Sequence, residues 1–546
     1  MPVVELSYSR LQKLLGKVSK KQISYSLPFL GLDIESEDKD LVRVEYSPNR
    51  PDYSTDLGIA LGLQGLFGIK TGAIKLNIKK SNDYVIHVEP SVTKIRPFVT
   101  GIIAKNGRID DAMIKQLMAM QEDLHFGIGR RRKKSSIGIH DLDKISFPLR
   151  YTTTKRDHRF VPLNSDKELT ISEILDNTDV GQDYGAILGN SPQVPLILDS
   201  KKQTVSFPPI INAAVTTVTT KTKNLFVEVT GINKDDAEDM LSVVATILQT
   251  AGFTLVSTKI SGAKNTSPKL EPKKILINSV LINQMLGLNL TNSQIISSLK
   301  KSRLDAALKG KNIACSIPPY RFDIFGPMDL VEEVTLGYGI QNLEPILSPS
   351  QTLGQTNPIS IKLKSLDLIM IGLGYTEALN SSLTSKRVLY EMTNREPMNM
   401  ISVLDSKSQE HTILRDSILP GLLENLSRNI HTSYPQKLFE TGTIFSQGNP
   451  VNETTSFAGI SAHQDATFTE IKSILQSALK TGFDLDIETK TFSHPIFEEG
   501  RTASISVHGK TIGIMGEINS KTIENYKIRV PVVGFEISLS GLIFDF

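Results

Sequence analysis

A chain of 546 residues is too long for one hydrophobic core and implies roughly three to five domains; 39% hydrophobic and 22% charged residues is the balance of a folded soluble protein. The net charge of +3, from 61 basic against 58 acidic residues, excludes a global field for nucleic acid, so any RNA contact has to be a local patch. One cysteine, Cys315, excludes an internal disulfide, and with nine histidines that show no paired spacing it leaves no zinc site.

The opening MPVVELSYSRLQKLLGK lacks the apolar core of a signal peptide and carries a helical pattern at Leu11, Leu14 and Leu15. Asn49, Arg50, Pro51 and Asp52 form a turn before a helical stretch over 55–67. Residues 85–260 alternate strands and helices. In Asn224-Leu-Phe-Val-Glu-Val-Thr-Gly the period is two, so Leu225, Val227 and Val229 face one side and Phe226, Glu228 and Thr230 the other. DDAEDMLSVVATILQTAGF at 235–253 reads as a capped amphipathic helix that stops at Gly252. The polar face of the preceding strand lines a pocket or meets solvent. Arg130, Arg131, Arg132, Lys133 and Lys134 form the densest basic run, which is either a solvated loop or a track for phosphates at a pocket mouth.

SGAKNTSPKLEPKK at 261–274 and LSPSQTLGQTNP at 347–358 read as linkers. Between them lie two short helices broken at Gly287, the second beginning at Thr291. Cys315, beside Ile313 and Ile317, fits a buried small hydrophobe. From 359 on, a helical segment gives way to strands such as 437–445, with a hairpin over 503–518 turning at Gly509. No apolar run approaches the ~20 residues of a membrane span, and a reducing, cytoplasmic setting is expected. The whole reads as a multidomain α+β protein: a small N-terminal domain (1–82), an α+β domain (83–262), a small helical module (270–346) and an antiparallel sheet with helices (357–546).

The helical module ends in IPPYRFDIFGPMDLVEEVTLGY at 317–338, which holds Asp323, Asp329, Glu332 and Glu333. A helix starting near Pro327 places the last three at i, i+3 and i+4, crowding one face, with Leu330, Val331 and Val334 opposite. Like charges so close repel unless a cation neutralises them, and all-oxygen ligands suit magnesium. The alternative is a plain capped helix with Asp329 as N-cap and Glu332 completing a capping box.

The run PPYRFDI at 318–324, followed by DLVEEV and Gly337-Tyr338-Gly339, resembles the signature of the phenylalanyl-tRNA synthetase beta-subunit family, archaeal and eukaryotic type. NRPD at 49–52, SIGIHDLDKI at 136–145, PLILDSKKQTVSFPPIIN at 195–212, TILRDSILPGLLENLSRN at 412–429 and SYPQKLFETG at 433–442 are similar to it in the same order. The resemblance implies an (αβ)2 tetramer with an alpha subunit that attaches L-phenylalanine to tRNA(Phe) using ATP. It assigns Asp323, Asp329, Glu332 and Glu333 to a magnesium site at the border with that subunit. It also makes 83–262 an editing, tRNA-contacting domain with Leu198, Ser206, Glu228 and Thr230 around its pocket. Arg130, Arg131, Arg132 and Lys133 would steer tRNA at the pocket mouth.

Phenylalanine and tyrosine differ by one hydroxyl, and an apolar pocket rejects an added hydroxyl by only about 10², so a second, phenol-reading hydrolytic site is expected on physical grounds. One departure stands out. The family's archaeal pattern has an arginine after the SFPPIIN run, where this chain has Thr216, Thr217 and Thr219. The closing domain resembles a class II synthetase fold, but no glycine-rich run ending in an acid–arginine pair follows Arg415 and Glu440, so it is expected to be catalytically silent. A free-standing tRNA-editing protein and a purely structural subunit are the alternatives.

Overall fold

Alternation of apolar residues builds the first half of the chain into sheets whose two faces bury different partners. The computed structural model describes residues 2–261, 268, 271–347, 353–404, 406 and 408–542. The expected linkers at 261–274 and 347–358 lie largely outside them. The chain forms two compact units, residues 1–347 and 348–546.

The first unit opens with a three-stranded sheet, Val3–Ser7 and Asp33–Glu37 flanking Leu41–Glu45. Helices Tyr8–Leu15 and Asp56–Leu66 pack on it through Leu11, Leu15, Ile59 and Leu63. The Asn-Arg-Pro-Asp stretch is a tight 3-10 turn, Pro51–Ser54, and Thr55 caps the following helix by accepting from the Gly58 N–H. The next sheet has five strands in the order Ile78–Lys79, Thr254–Ser257, Phe98–Lys105, Leu225–Gly231, Ser135–Asp141. Its first strand comes from the stretch assigned above to the N-terminal domain, so chain and sheet interleave near residue 82.

One face of this sheet carries Ile102, Ala104, Leu225, Val227 and Val229, buried beneath helices Asp111–Phe126 and Lys234–Thr250. The other face, with Ile103 and Phe226, packs on a six-stranded sheet that contributes Ile86, Leu149, Tyr151, Ile197 and Val205. Every residue of Leu225–Gly231 is buried. The alternation read from sequence is present, yet its polar face looks into an inter-sheet space rather than solvent.

Residues 273–342 fold as more than a pair of helices. Lys273–Ile277 and Asp305–Lys309 flank Asn312–Ile317 in an antiparallel sheet, on which Ser279–Leu286, Asn292–Lys301 and Pro327–Tyr338 pack. Sequence reading found the helices and missed the sheet, because its strands are five to six residues long and only one face is apolar. Ile313, Cys315 and Ile317 point inward, and burial pushes the Cys315 thiol up to about 12, which suits a hydrophobe and not a nucleophile.

The second unit is a seven-stranded sheet, antiparallel except for the short edge strand Thr376–Glu377. Helices Pro358–Gly372 and Phe468–Phe483 cover one face and Leu419–Arg428 the other. The hairpin expected over 503–518 joins Phe497–Val507 to Lys510–Ile518, with His508 and Gly509 both at positive φ, the twist-compatible geometry of a two-residue turn.

Candidate functional site

Glu228 sits at the centre of the five-stranded sheet, and its two lateral neighbours decide what it can do. It pairs with Gly101 on one strand and Gly138 on the other, so no side chain crowds its carboxylate from either side. A β-carbon built on Gly138 would stand 2.6 Å from Glu228 Oε1, 2.6 Å from His140 Nε2 and 3.0 Å from Asn212 Oδ1. Glycine keeps that space clear, and three polar atoms ring it.

Ser206, on the facing sheet, donates its hydroxyl to Glu228 Oε1 at 3.0 Å and lies 3.3 Å from Asn212 Oδ1. Glu228 Oε2 and His140 Nε2 are buried without a partner among the described residues. Behind them Arg96, itself buried, bonds the Thr230 hydroxyl at 2.9 Å, the Thr230 carbonyl at 2.8 Å and the Ser136 hydroxyl at 3.1 Å. Burial pulls the Arg96 guanidinium down to about 10, with Tyr151 and Glu228 acting the other way. Its charge therefore backs the Glu228 carboxylate without touching it.

In front of Glu228 lies a cavity of about 400 Å³ with walls of Ile114, Leu117, Met118, Ile137, Ile210 and Val218. Glu228, Ser206 and Asn212 are on its polar side. Such a cavity accepts an aromatic side chain with one polar tip.

The structure thus brings together two of the four expected pocket residues, Ser206 and Glu228. Thr230 faces the same side of its strand but is engaged by Arg96, and Leu198 ends its own strand; neither is among the described residues that line the cavity. Sequence reasoning missed His140, Gly138, Asn212 and Arg96. The first two were findable: the period of two in Ser135–Asp141 puts Ser136, Gly138 and His140 on one face. Arg96 had no pattern to mark it.

The basic run needs one correction. Arg130, Arg131 and Arg132 all have positive φ, and Arg132 turns inward, where it is buried. It donates to the Ile210 carbonyl at 2.8 Å and to Glu122 at 2.8 Å, and stacks on the Tyr184 ring at 4.2 Å. Burial works against ionisation of Glu122, but His125 and Arg132 hold its carboxyl below the usual range. Arg132 is part of the pocket wall and has no free face for a phosphate; Arg130, Arg131 and Lys133 stay exposed beside it.

The acid cluster needs a larger one. Asp329 lies three residues after the N-cap Gly326 and accepts from the N–H groups of Phe325 and Gly326, at 2.7 and 2.8 Å. It is therefore not the N-cap, and Glu332 completes no box. Asp323 binds the Arg321 guanidinium bidentately at 2.9 and 2.7 Å, and Glu333 forms a short bond to the same guanidinium. Burial opposes it, yet Arg321 holds Asp323 below the ordinary carboxylate range. Glu332 is exposed. Among the described residues no group of three or more acids, histidines or cysteines is placed to hold a metal. The four acids do not fit a magnesium site: two are bound by one arginine, one is spent on a helix start, and one stands apart.

In the second unit Arg415 is similarly engaged, donating to Glu440 Oε1 at 2.6 Å and to the Thr443 carbonyl at 3.0 Å. Both side chains are buried, and the ion pair with Glu440 takes up part of the guanidinium within the sheet.

Comparison with known proteins places these features. Residues 108–241 match the B3/4 domain, 275–340 the tRNA synthetase B5 domain, and 345–539 the phenylalanyl-tRNA synthetase beta chain CLM domain. The phenylalanine–tRNA ligase beta subunit of Archaeoglobus fulgidus is 38% identical over 100% of this chain and 99% of its own. The chain belongs to the phenylalanine–tRNA ligase beta-subunit family. The Methanococcoides burtonii beta subunit is 35% identical over 99% and 100% of the two chains. The solved N-terminal fragment of the Pyrococcus horikoshii phenylalanyl-tRNA synthetase beta subunit covers 62% of this chain and 99% of itself, at 29% identity and a TM-score of 0.59. As a member of this family the chain is part of a ligase complex. Among the described residues no helix is long and apolar enough to cross a membrane.

Proposed function

We propose that the cavity beside Glu228 removes tyrosine from mischarged tRNA(Phe), while phenylalanine activation with ATP belongs to an alpha subunit that joins this chain in an (αβ)2 tetramer in the cytoplasm. The observation that carries this reading is a buried carboxylate, one oxygen of which has no partner among the described residues, on a residue that lines the polar side of an otherwise apolar, ring-sized cavity. An apolar synthetic pocket cannot reject one extra hydroxyl by more than about 10², whereas a site built to bond that hydroxyl discriminates by 10⁴ or more. A carboxylate with one oxygen unengaged among the described residues, at the edge of an apolar cavity, supports that second kind of site. Exposed Arg130, Arg131 and Lys133 supply positive charge beside it for the tRNA backbone.

The engaged Arg415 supports a silent closing domain, so pyrophosphate exchange with phenylalanine and ATP should require the alpha chain. The test of editing uses the co-expressed complex and two substrates, Tyr-tRNA(Phe) and Phe-tRNA(Phe). The complex should deacylate the first and spare the second. Equal hydrolysis rates, or none for Tyr-tRNA(Phe), would remove the editing role.

A further inference from the structure

We propose that His140, which stands behind the polar side of the same cavity and not among its lining residues, is a specificity-determining residue that donates a hydrogen bond from Nε2 to the oxygen of a substrate hydroxyl that itself donates to Glu228. The inference rests on the editing reading above and adds to it the donor half of hydroxyl recognition.

The imidazole is wholly buried, stacked at 5.8 Å on the Phe226 ring with 24° between the planes, so its orientation is fixed. Its Nδ1 lies 2.8 Å from the Thr216 hydroxyl, and its Nε2 has no partner among the described residues and lies 4.0 Å from Glu228 Oε1. The Thr216 proton has two places to go: Nδ1 of His140, or the Ala213 carbonyl at 3.0 Å. That carbonyl already accepts the Thr216 backbone N–H at 3.2 Å, whereas Nδ1 has no other donor among the described residues. The Glu228 carboxylate beyond Nε2 favours an N–H there over a lone pair, which would face a like charge. Both arguments select the neutral tautomer with Nδ1 accepting and Nε2 protonated.

A hydroxyl is one donor and one acceptor. Over Gly138 the chain offers one acceptor, Glu228 Oε1, which takes the Ser206 hydroxyl and has a lone pair to spare, and one donor, His140 Nε2, which has no partner among the described residues. A tyrosine hydroxyl satisfies the two together. A phenylalanine ring has no hydroxyl to offer the histidine N–H and gains nothing from it. Thr216 is one of the threonines that stand where the family pattern places an arginine. In this chain it sets the histidine tautomer.

The test compares His140→Asn with His140→Gln in the complex. Asparagine keeps an amide near the Nδ1 position and loses the donor at Nε2; glutamine reaches the Nε2 position with an amide N–H. For Tyr-tRNA(Phe), kcat/KM of deacylation should fall roughly tenfold in His140→Asn and recover to within about threefold of the parent in His140→Gln, with Phe-tRNA(Phe) hydrolysis unchanged in both. A parent complex that hydrolyses Tyr-tRNA(Phe) alongside a His140→Asn complex within twofold of it would overturn the role of His140 and leave the editing reading standing. Equal losses on both substrates would assign His140 to structure alone. A parent complex inert toward Tyr-tRNA(Phe) would bring down the editing reading and this inference with it.

Discussion

Glu228 and Glu333 are both buried glutamates in the first unit, and they have opposite roles because of what faces them. Glu333 meets the Arg321 guanidinium, which also holds Asp323, so that charge is closed within the chain. Glu228, at the wall of a cavity, keeps Oε2 without a partner among the described residues, while its Oε1, bonded by Ser206, lies 4.0 Å from the unpartnered His140 Nε2. A buried carboxylate with its cation built in is architecture. One left unpaired next to open space is waiting for a ligand.

The largest effect expected from this contrast is at Arg321. Arg321→Met leaves Asp323 and Glu333 buried without a counter-charge and should destabilise the first unit by about 3–5 kcal/mol, read as the midpoint of denaturant unfolding. Adding Asp323→Asn and Glu333→Gln to it should restore most of the loss, since replacing a whole buried charge cluster is far cheaper than breaking it. If Arg321→Met unfolded at the parent midpoint, the guanidinium would not be the cation of this cluster.

Glu228 should behave the other way. Loss of a hydrogen bond to a charged group is worth ~1.5–3 kcal/mol, so Glu228→Ala should slow Tyr-tRNA(Phe) deacylation by about 10–150-fold. Its melting temperature should fall by less than that of Arg321→Met, because Glu228 supports the buried Arg96 only through space and bonds no cation directly. A destabilised variant with intact deacylation would place Glu228 in the same class as Glu333.

How far the sequence carried this contrast differs from residue to residue. The Asn233 cap was not picked out; the Leu225–Gly231 strand, the helix read over 235–253 and found at Lys234–Thr250, and the Gly287 break were legible, because periodicity is local. So was Glu228, through its strand face. Thr230 shares that face, but nothing local shows that Arg96, from 134 positions earlier, occupies it. The acids at 323–333 were misread for the same reason. Their spacing shows mutual repulsion, while Arg321, two residues before Asp323, is invisible as a partner until the chain turns at Pro318–Arg321 and buries it. Family resemblance located both regions but could not say which carboxylates were already bound.

A third buried group tests the idea in the second unit. His494 is half-buried, and desolvation, aided by Arg395, pulls its pKa down to about 4 from the ordinary value near 6.5. Its Nδ1 accepts the Ile496 N–H at 3.4 Å, which requires the unprotonated nitrogen. Because the folded value is depressed, the unfolded chain binds the proton first as the solution is acidified. Its contribution is full above about 6.5 and is lost as pH falls from there toward 4, by on the order of 2 kcal/mol after allowance for partial exposure. His494→Gln should flatten the melting temperature of the complex across that window. An unchanged slope would show that the ring is hydrated and protonates without penalty.

The smallest effects separate the two remaining acids and bear directly on magnesium. Asp329 satisfies two backbone N–H groups where the Pro327–Tyr338 helix begins, so Asp329→Ala should cost about 1 kcal/mol, the usual value of a lost helix-start acceptor. Glu332 is exposed, and Glu332→Gln should change stability by less than about 0.5 kcal/mol. Neither value should depend on divalent cations, and chelation of magnesium should leave the unfolding midpoint of the isolated chain where it was. A four-acid metal site makes the reverse forecast. Removal of the ion would then expose four repelling charges, lower the midpoint, and turn Glu332→Gln into a stabilising change in the metal-free state. Melting curves of parent and Glu332→Gln chains, with magnesium and with chelator, distinguish the two: four superimposable curves place the cation in Arg321, while a chelator-dependent gap between parent and variant places it in a metal.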